Sequence, residues 1–327
     1  MEVTQEEATT ETGLMFEARQ ARTRVAASIR LAEAEGNLLS ATVTAVTFAL
    51  LFWQPVTLLV RDWWTLPEAG HGLLLAPVAL WLAWKSGVRP DARPNHSGGA
   101  ALLCFAVVLR YMSGLAAELF TMRLSLMIAI AALTVYHYGF RQITRWWLPF
   151  VLSLLSIPLP ELVTQAIALP LQFKASQMGA ALLKSRDVPV LLTGNVIRIP
   201  RNELFVTEAC SGLRSLTALL SLAVLLGGLI FEKAVTRILL VIVAVPIAVF
   251  VNGIRVFLTG FLVYFVDPAL GQGFMHMTEG WLLFLVSLSV LGAVAWVFGL
   301  AERPFTRREV AAAPEPELWE ETEVLNG

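Results

Sequence analysis

Apolar residues are gathered into eight runs along this chain, at roughly 38–60, 72–85, 99–118, 124–140, 146–160, 210–231, 238–266 and 279–300. A helix crosses the hydrocarbon core of a bilayer in ~20 residues. The pattern therefore predicts an all-α, polytopic membrane bundle of about eight transmembrane helices. The second and fifth runs are short for a crossing and are expected to tilt against neighbours or to be partly re-entrant. One long segment, 161–209, separates the fifth run from the sixth. Within it, Leu162 to Leu183 carries apolar residues at helical spacing with Gln165, Gln172, Lys174 and Gln177 between them, which suits a helix in the interface plane. Beyond Pro189, Val190 to Pro200 reads as two short extended pieces around Thr193-Gly-Asn195, a hairpin signal. Glu203 to Val206 then leads towards the sixth run.

The ends of the chain differ from the runs. Residues 1–37 are polar and of mixed charge, and 301–327 are acidic with a Pro314-Glu-Pro316 segment. Both tails are expected to be disordered. The first 37 residues hold no apolar core of the kind a cleavable signal needs, so the first run is expected to act as an uncleaved anchor.

Composition agrees with the pattern. The chain has 327 residues and is 57% hydrophobic, with a mean hydropathy of +0.68, whereas soluble domains are about 45–50% apolar. A net charge of −1 provides no field for nucleic acid, which is not expected as a partner. No Cys/His spacing resembles a zinc site, and neither metal nor cofactor is expected. With the N-terminus in the cytoplasm, fourteen of the 24 Lys and Arg residues fall in inner segments, seven in outer ones and three within runs. Five of the outer seven lie in 161–209, where length weakens the positive-inside rule. The expected topology is N-in, C-in, with 161–209 on the outer side.

Ionisable groups within or at the lip of membrane spans are costly and are candidates for function. Cys210 opens the sixth run at its outer, N-terminal end, where a helix terminus favours the thiolate. Arg214 follows at i+4 on the same face. Arg255 lies in the outer half of the seventh run, with Asn252 one turn away on the same face. His276 precedes the eighth run on the outer side, and Glu279 three residues later is suited to orient its imidazole. Thiol, guanidinium and imidazole are the parts of a cysteine acyl-transfer site. Each also has an ordinary reading, as a structural thiol, a snorkelling arginine or a surface histidine, and the residues alone leave that choice open. Ser211 lacks a Gly-x-Ser-x-Gly elbow, and Ser211-Gly212 suits close helix packing. His71, in Glu68-Ala-Gly-His-Gly72, reads as a substrate contact, a second base or a loop residue. Cys104, between Leu103 and Phe105, reads as a small core hydrophobe. Trp63 and Trp64 read as an interfacial belt, and Arg110 and Glu118 as polar groups that pair within the bundle.

These motifs resemble those of the exosortase/archaeosortase family of membrane cysteine transpeptidases. The resemblance rests on Glu208-Ala-Cys-Ser-Gly-Leu-Arg214, Asn252-Gly-Ile-Arg255 and Phe274-Met-His-Met-Thr-Glu-Gly280, supported by His71-Gly72 before Pro77 and by Gly194-Asn195. It covers roughly residues 45–300. It implies Cys210 as nucleophile, Arg255 as transition-state stabiliser and His276 as acid/base, with Arg214, Glu208, Asn252, Glu279 and His71 binding substrate or supporting the site. It also implies a multi-pass protein of the bacterial inner membrane, its site towards the periplasm. The implied partners are the lipid bilayer, secreted proteins that end in a Pro-Glu-Pro motif followed by an apolar span, and an acceptor molecule whose identity the residues leave open. The chain's own Pro314-Glu-Pro316 has no apolar span after it and is not such a signal. Ala69-Gly70 stands where relatives often carry Tyr-Ser, and the extra C-terminal domain found fused to some relatives is not expected here. A second reading, of another class, is a non-enzymatic component of exopolysaccharide export or assembly, with the polar groups lining a path.

Overall fold

The computed structural model describes residues 42–200, 202–206, 212–268 and 273–312, except for the side chains of 273–279 and 303–312. Two compact units divide at Thr57 and Leu58. The first contributes the opening residues of α1 (Thr42–Thr65), and all packing described below belongs to the second. The order there is the end of α1, α2 (Gly72–Ser86), α3 (His96–Leu115), α4 (Leu119–Tyr138), α5 (Phe140–Arg145), α6 (Trp147–Leu155) and α7 (Glu161–Lys184). Strands β1 (Leu191–Thr193), β2 (Val196–Ile199) and β3 (Asn202–Phe205) follow, then α8 (Leu213–Ile230), α9 (Ala234–Phe265) and α10 (Gly273–Ala312).

Among the described residues, six helices are long and apolar enough to cross a membrane: α1, α3, α4, α8, α9 and residues Gly280–Glu302 of α10. The protein is therefore a polytopic helical membrane protein. The two short runs are the exceptions among the eight expected crossings. Helix α2 has 15 residues. Helix α6 has nine, about 13 Å at 1.5 Å per residue. Pro158 and Pro160 stop α6 and start α7, because a proline suits the first turn of a helix and not its interior.

Helix α9 is the hub. Leu240, Ala244 and Ala248 on it form one core with Leu216, Leu219 and Ala223 of α8 and with Leu291 and Ala295 of α10. Its later turns form another, in which Val256 and Val263 meet Ala175, Ala180 and Leu183 of α7 and Ile197 and Ile199 of β2. Met178 lies over Gly253 and Leu183 over Gly260. Contacts that advance together in this way mean that α7 runs alongside α9 in the same direction, rather than in an interface plane across it. The small residues Ala168, Ala175, Ser176, Gly179 and Ala180 are buried on α7 and allow the close approach. A third core joins Leu75, Ala79 and Leu82 of α2 to Leu148 and Leu152 of α6.

The hairpin expected around Thr193-Gly-Asn195 is present, with Thr193 opposite Val196, and β3 adds a third antiparallel strand, Val196 opposite Phe205. Asn195 fastens the exit of this sheet. Its carbonyl accepts from Val206 N at 3.0 Å, and its side-chain amide donates to Val206 O at 3.1 Å.

Polar side chains mark the helix ends. Asn95 caps α3, accepting from Gly98 N at 2.8 Å. Glu118 caps α4, accepting from Phe120 N at 3.0 Å and Thr121 N at 2.6 Å; its role is capping of a helix terminus. At the α8–α9 turn, Arg237 donates twice to Phe231 O, at 2.9 and 2.7 Å, and so satisfies the negative end of α8. Glu302 of α10 accepts there from Lys233 N at 2.8 Å. Cys104, expected in the core, is instead exposed on α3. Lipid is as apolar as a protein interior, so an apolar neighbourhood in sequence does not select the inward face.

Candidate active site

The described candidate residues His71, Arg214, Asn252 and Arg255 lie on the elements that meet where α1 and α9 finish and α2 and α8 begin. Three ties build the platform on which His71 sits. Asp62 near the end of α1 pairs with Arg123 of α4, whose side chain is 4% exposed. Trp63 donates from Nε1 to Ser156 O at 2.7 Å. His71 itself, the N-cap of α2, hydrogen-bonds through Nε2 to Leu155 O at 3.1 Å. Burial pushes the His71 imidazole below its ordinary pKa, against the pull of the Leu155 and Glu68 backbone, which favours the charged form. His71 is thus held by backbone groups of two elements. Trp63 is half-buried as a packing and hydrogen-bonding residue, while Trp64 is 80% exposed, as an interfacial residue should be.

Arg214 lies in the first turn of α8 and is exposed. Its charge interacts with those of Glu68, in the turn before His71, and of Arg255 on α9. The structure therefore brings Arg214, Arg255 and Glu68 into one electrostatic neighbourhood. Glu68 joins the site although its sequence context singled out only His71. The available signal was a carboxylate in the same short connection as a candidate histidine. Asp62 and Arg123 were also legible in principle, as opposite charges at matching ends of apolar runs.

Two close approaches fix the backbone around Arg255. Gly212 enters α8 in the left-handed region, with φ of 78°, and a Cβ there would lie 2.6 Å from Cγ of Asn252. Only glycine combines that φ with that contact at little cost. Asn252 is buried, 6% exposed, and lies one turn before Arg255 on α9. Beneath the contact runs a narrow cleft walled by Leu171 of α7, Leu216 of α8, and Ala248 and Val249 of α9. On the other side, a Cβ on Gly280 of α10 would lie 3.2 Å from one terminal nitrogen of Arg255 and 3.4 Å from its Cζ.

His276 occupies α10 one turn before Gly280, on the same helical face, and Glu279 directly precedes Gly280; both side chains fall outside those described. Cys210 and Glu208 lie outside the described residues. The described part of the site thus contains His71, Glu68, Arg214, Asn252 and Arg255. Chemically it offers guanidinium donors together with a carboxylate and an imidazole whose neutral form burial favours, a set able to bind and polarise a carbonyl or carboxylate.

Among protein families, the transmembrane exosortase model matches residues 63–293 of this chain. No match was found among curated proteins or among solved structures.

Proposed function

Because the chain belongs to the transmembrane exosortase family, we propose that it is a membrane-embedded cysteine protease or transpeptidase that removes the C-terminal sorting signal of secreted proteins. In this reading the substrate's Pro-Glu-Pro segment lies at the lip of the bundle, its apolar tail against the helices. The Cys210 thiolate attacks the scissile carbonyl carbon, and the carbonyl electrons move to oxygen. Arg255 stabilises that oxyanion with charge-assisted hydrogen bonds. The C–N bond then breaks as His276 gives its proton to the leaving nitrogen, which leaves a thioester on Cys210. An acceptor that passes a proton back to His276 attacks the thioester and releases the thiolate. Arg214 favours the thiolate and holds substrate carboxylate, with Glu68 as its neighbour. The periplasm is the proposed side of action.

The observation that carries this reading is the packing of Gly212 on Asn252. Gly212 is two positions along the chain from Cys210, with only Ser211 between them, and two residue steps reach at most about 7 Å. One turn separates Asn252 from Arg255. The approach of Gly280 to Arg255, one turn from His276 on α10, supports the third role. The test is processing of a co-expressed substrate by Cys210→Ala and by Cys104→Ala. The reading requires loss in the first, with the protein present in the membrane at parental level, and retention in the second.

A further inference from the structure

Gly280 has no role in the chemistry just described, yet it makes one of the closest contacts to it. A Cβ built there would lie 3.2, 3.4 and 3.7 Å from Nη2, Cζ and Nη1 of Arg255. Three atoms of one guanidinium at nearly equal distance mean that the backbone of α10 abuts the fork itself, not the aliphatic stem. Glycine is less favourable than alanine inside a helix, so its presence at this position calls for a reason. Farther along the same helix, Gly292 has open space around its would-be Cβ, so close contact is a property of position 280 and not of every glycine on α10. The register adds a second consequence. His276 precedes Gly280 by one turn, about 6 Å of rise, on the same face.

We propose that Gly280 is a positioning residue that sets α10 against the Arg255 fork and thereby fixes the spacing between Arg255 and His276. This rests on the catalytic reading above. The oxyanion and the leaving nitrogen share one carbon, so the groups that serve them must keep a fixed separation, and a helix contact one turn from the histidine supplies it. Alanine at 280 requires the fork to give by a few tenths of an ångström. Valine displaces it further.

The experiment compares Gly280→Ala, Gly280→Val and Gly292→Ala in the full-length, detergent-solubilised protein. Single-turnover thioester formation is expected to fall about tenfold in Gly280→Ala and about a hundredfold in Gly280→Val, with KM little changed. Gly292→Ala should behave as the parent. Thermal stability should hold or rise in Gly280→Ala, since the helix gains propensity; a purely structural glycine would lose stability in step with activity. A second readout needs no turnover: phenylglyoxal labelling of Arg255 and Arg214, resolved by mass spectrometry. Gly280→Val should change the labelling rate of Arg255 and leave that of Arg214 alone. Parental labelling of Arg255 in Gly280→Val would overturn the proposal, whatever happens to turnover. Absence of any thioester in the parent would instead count against the catalytic reading, with the labelling still deciding the contact.

Discussion

At the scale of single residues, the account divides the work between two arginines. Arg255 lies within α9 with the α10 backbone against its fork, so its geometry is constrained from two helices. Arg214 is exposed at the entrance of α8, beside Glu68. A lysine ammonium is a point charge and cannot reproduce a planar fork. Arg255→Lys should therefore lower the rate of thioester formation about a hundredfold or more, while Arg214→Lys should keep partial activity because a positive charge remains at the entrance of α8. A single-turnover assay distinguishes them, and equal losses would contradict the division. His71 gives a prediction about pH. Its folded pKa is below the ordinary value of 6.5, so the unfolded chain binds this proton more readily. The His71 contribution to stability is present above that value and declines as pH falls through it. The thermal midpoint should drop between pH 7.5 and 5.5, and drop less in His71→Gln. An equal drop in both would show that other groups are responsible.

At the scale of elements, the ends of α1, α2, α4 and α6 are joined by a few polar ties. The Asp62–Arg123 pair is the most buried, and removing one partner leaves a charge stranded in the bundle. Asp62→Asn or Arg123→Ala should cost about 3–5 kcal/mol, whereas replacing both by apolar residues of similar volume should cost much less. Unfolding measurements on the two singles and the double test this, and additive losses would contradict it. The six long helices could be read from hydropathy because a chain in lipid must satisfy its own backbone groups, so apolar length and helix go together. The same solvent hides which face is inward, and that is why Cys104 was misread. The fifth run was expected to be short from its length, but its continuation to 160 passes Pro158 and Pro160, where α6 has already ended at Leu155; that α7 runs beside α9 was signalled by its alanines and glycine, which helical periodicity alone does not use. Strand β3 lacked the turn glycine that marked the first hairpin. The polar members of the site could be named from their cost in lipid. Gly212 was legible as a site of close helix packing but its partner Asn252 was not, and Gly280 had no such reading, since the sequence shows that a glycine is permissive but not what presses on it.

At the scale of the whole molecule, the distribution of charge supplies a proposed orientation. The proposed N-in, C-in topology predicts that periplasmic reporters fused after Trp64, near Lys184 or near Gly271 are active, while fusions near Arg93, Arg141 or Lys233 report cytoplasm. A cytoplasmic signal near Lys184 would turn the candidate site to the wrong face. The central claim is that Cys210 carries the substrate as a thioester on a site framed by Arg255 and His276. On the proposed mechanism, His276→Ala should slow both steps, but resolution more than attack, since a thiolate formed before substrate arrives can still attack while water supplies the leaving nitrogen's proton. The most direct measurement is therefore mass spectrometry of His276→Ala co-expressed with a substrate that carries a Pro-Glu-Pro tail, treated with and without hydroxylamine. The account predicts a substrate fragment joined to the peptide containing Cys210 and released by hydroxylamine, and none in Cys210→Ala. Normal processing by Cys210→Ala, or an adduct on any other residue, would contradict it.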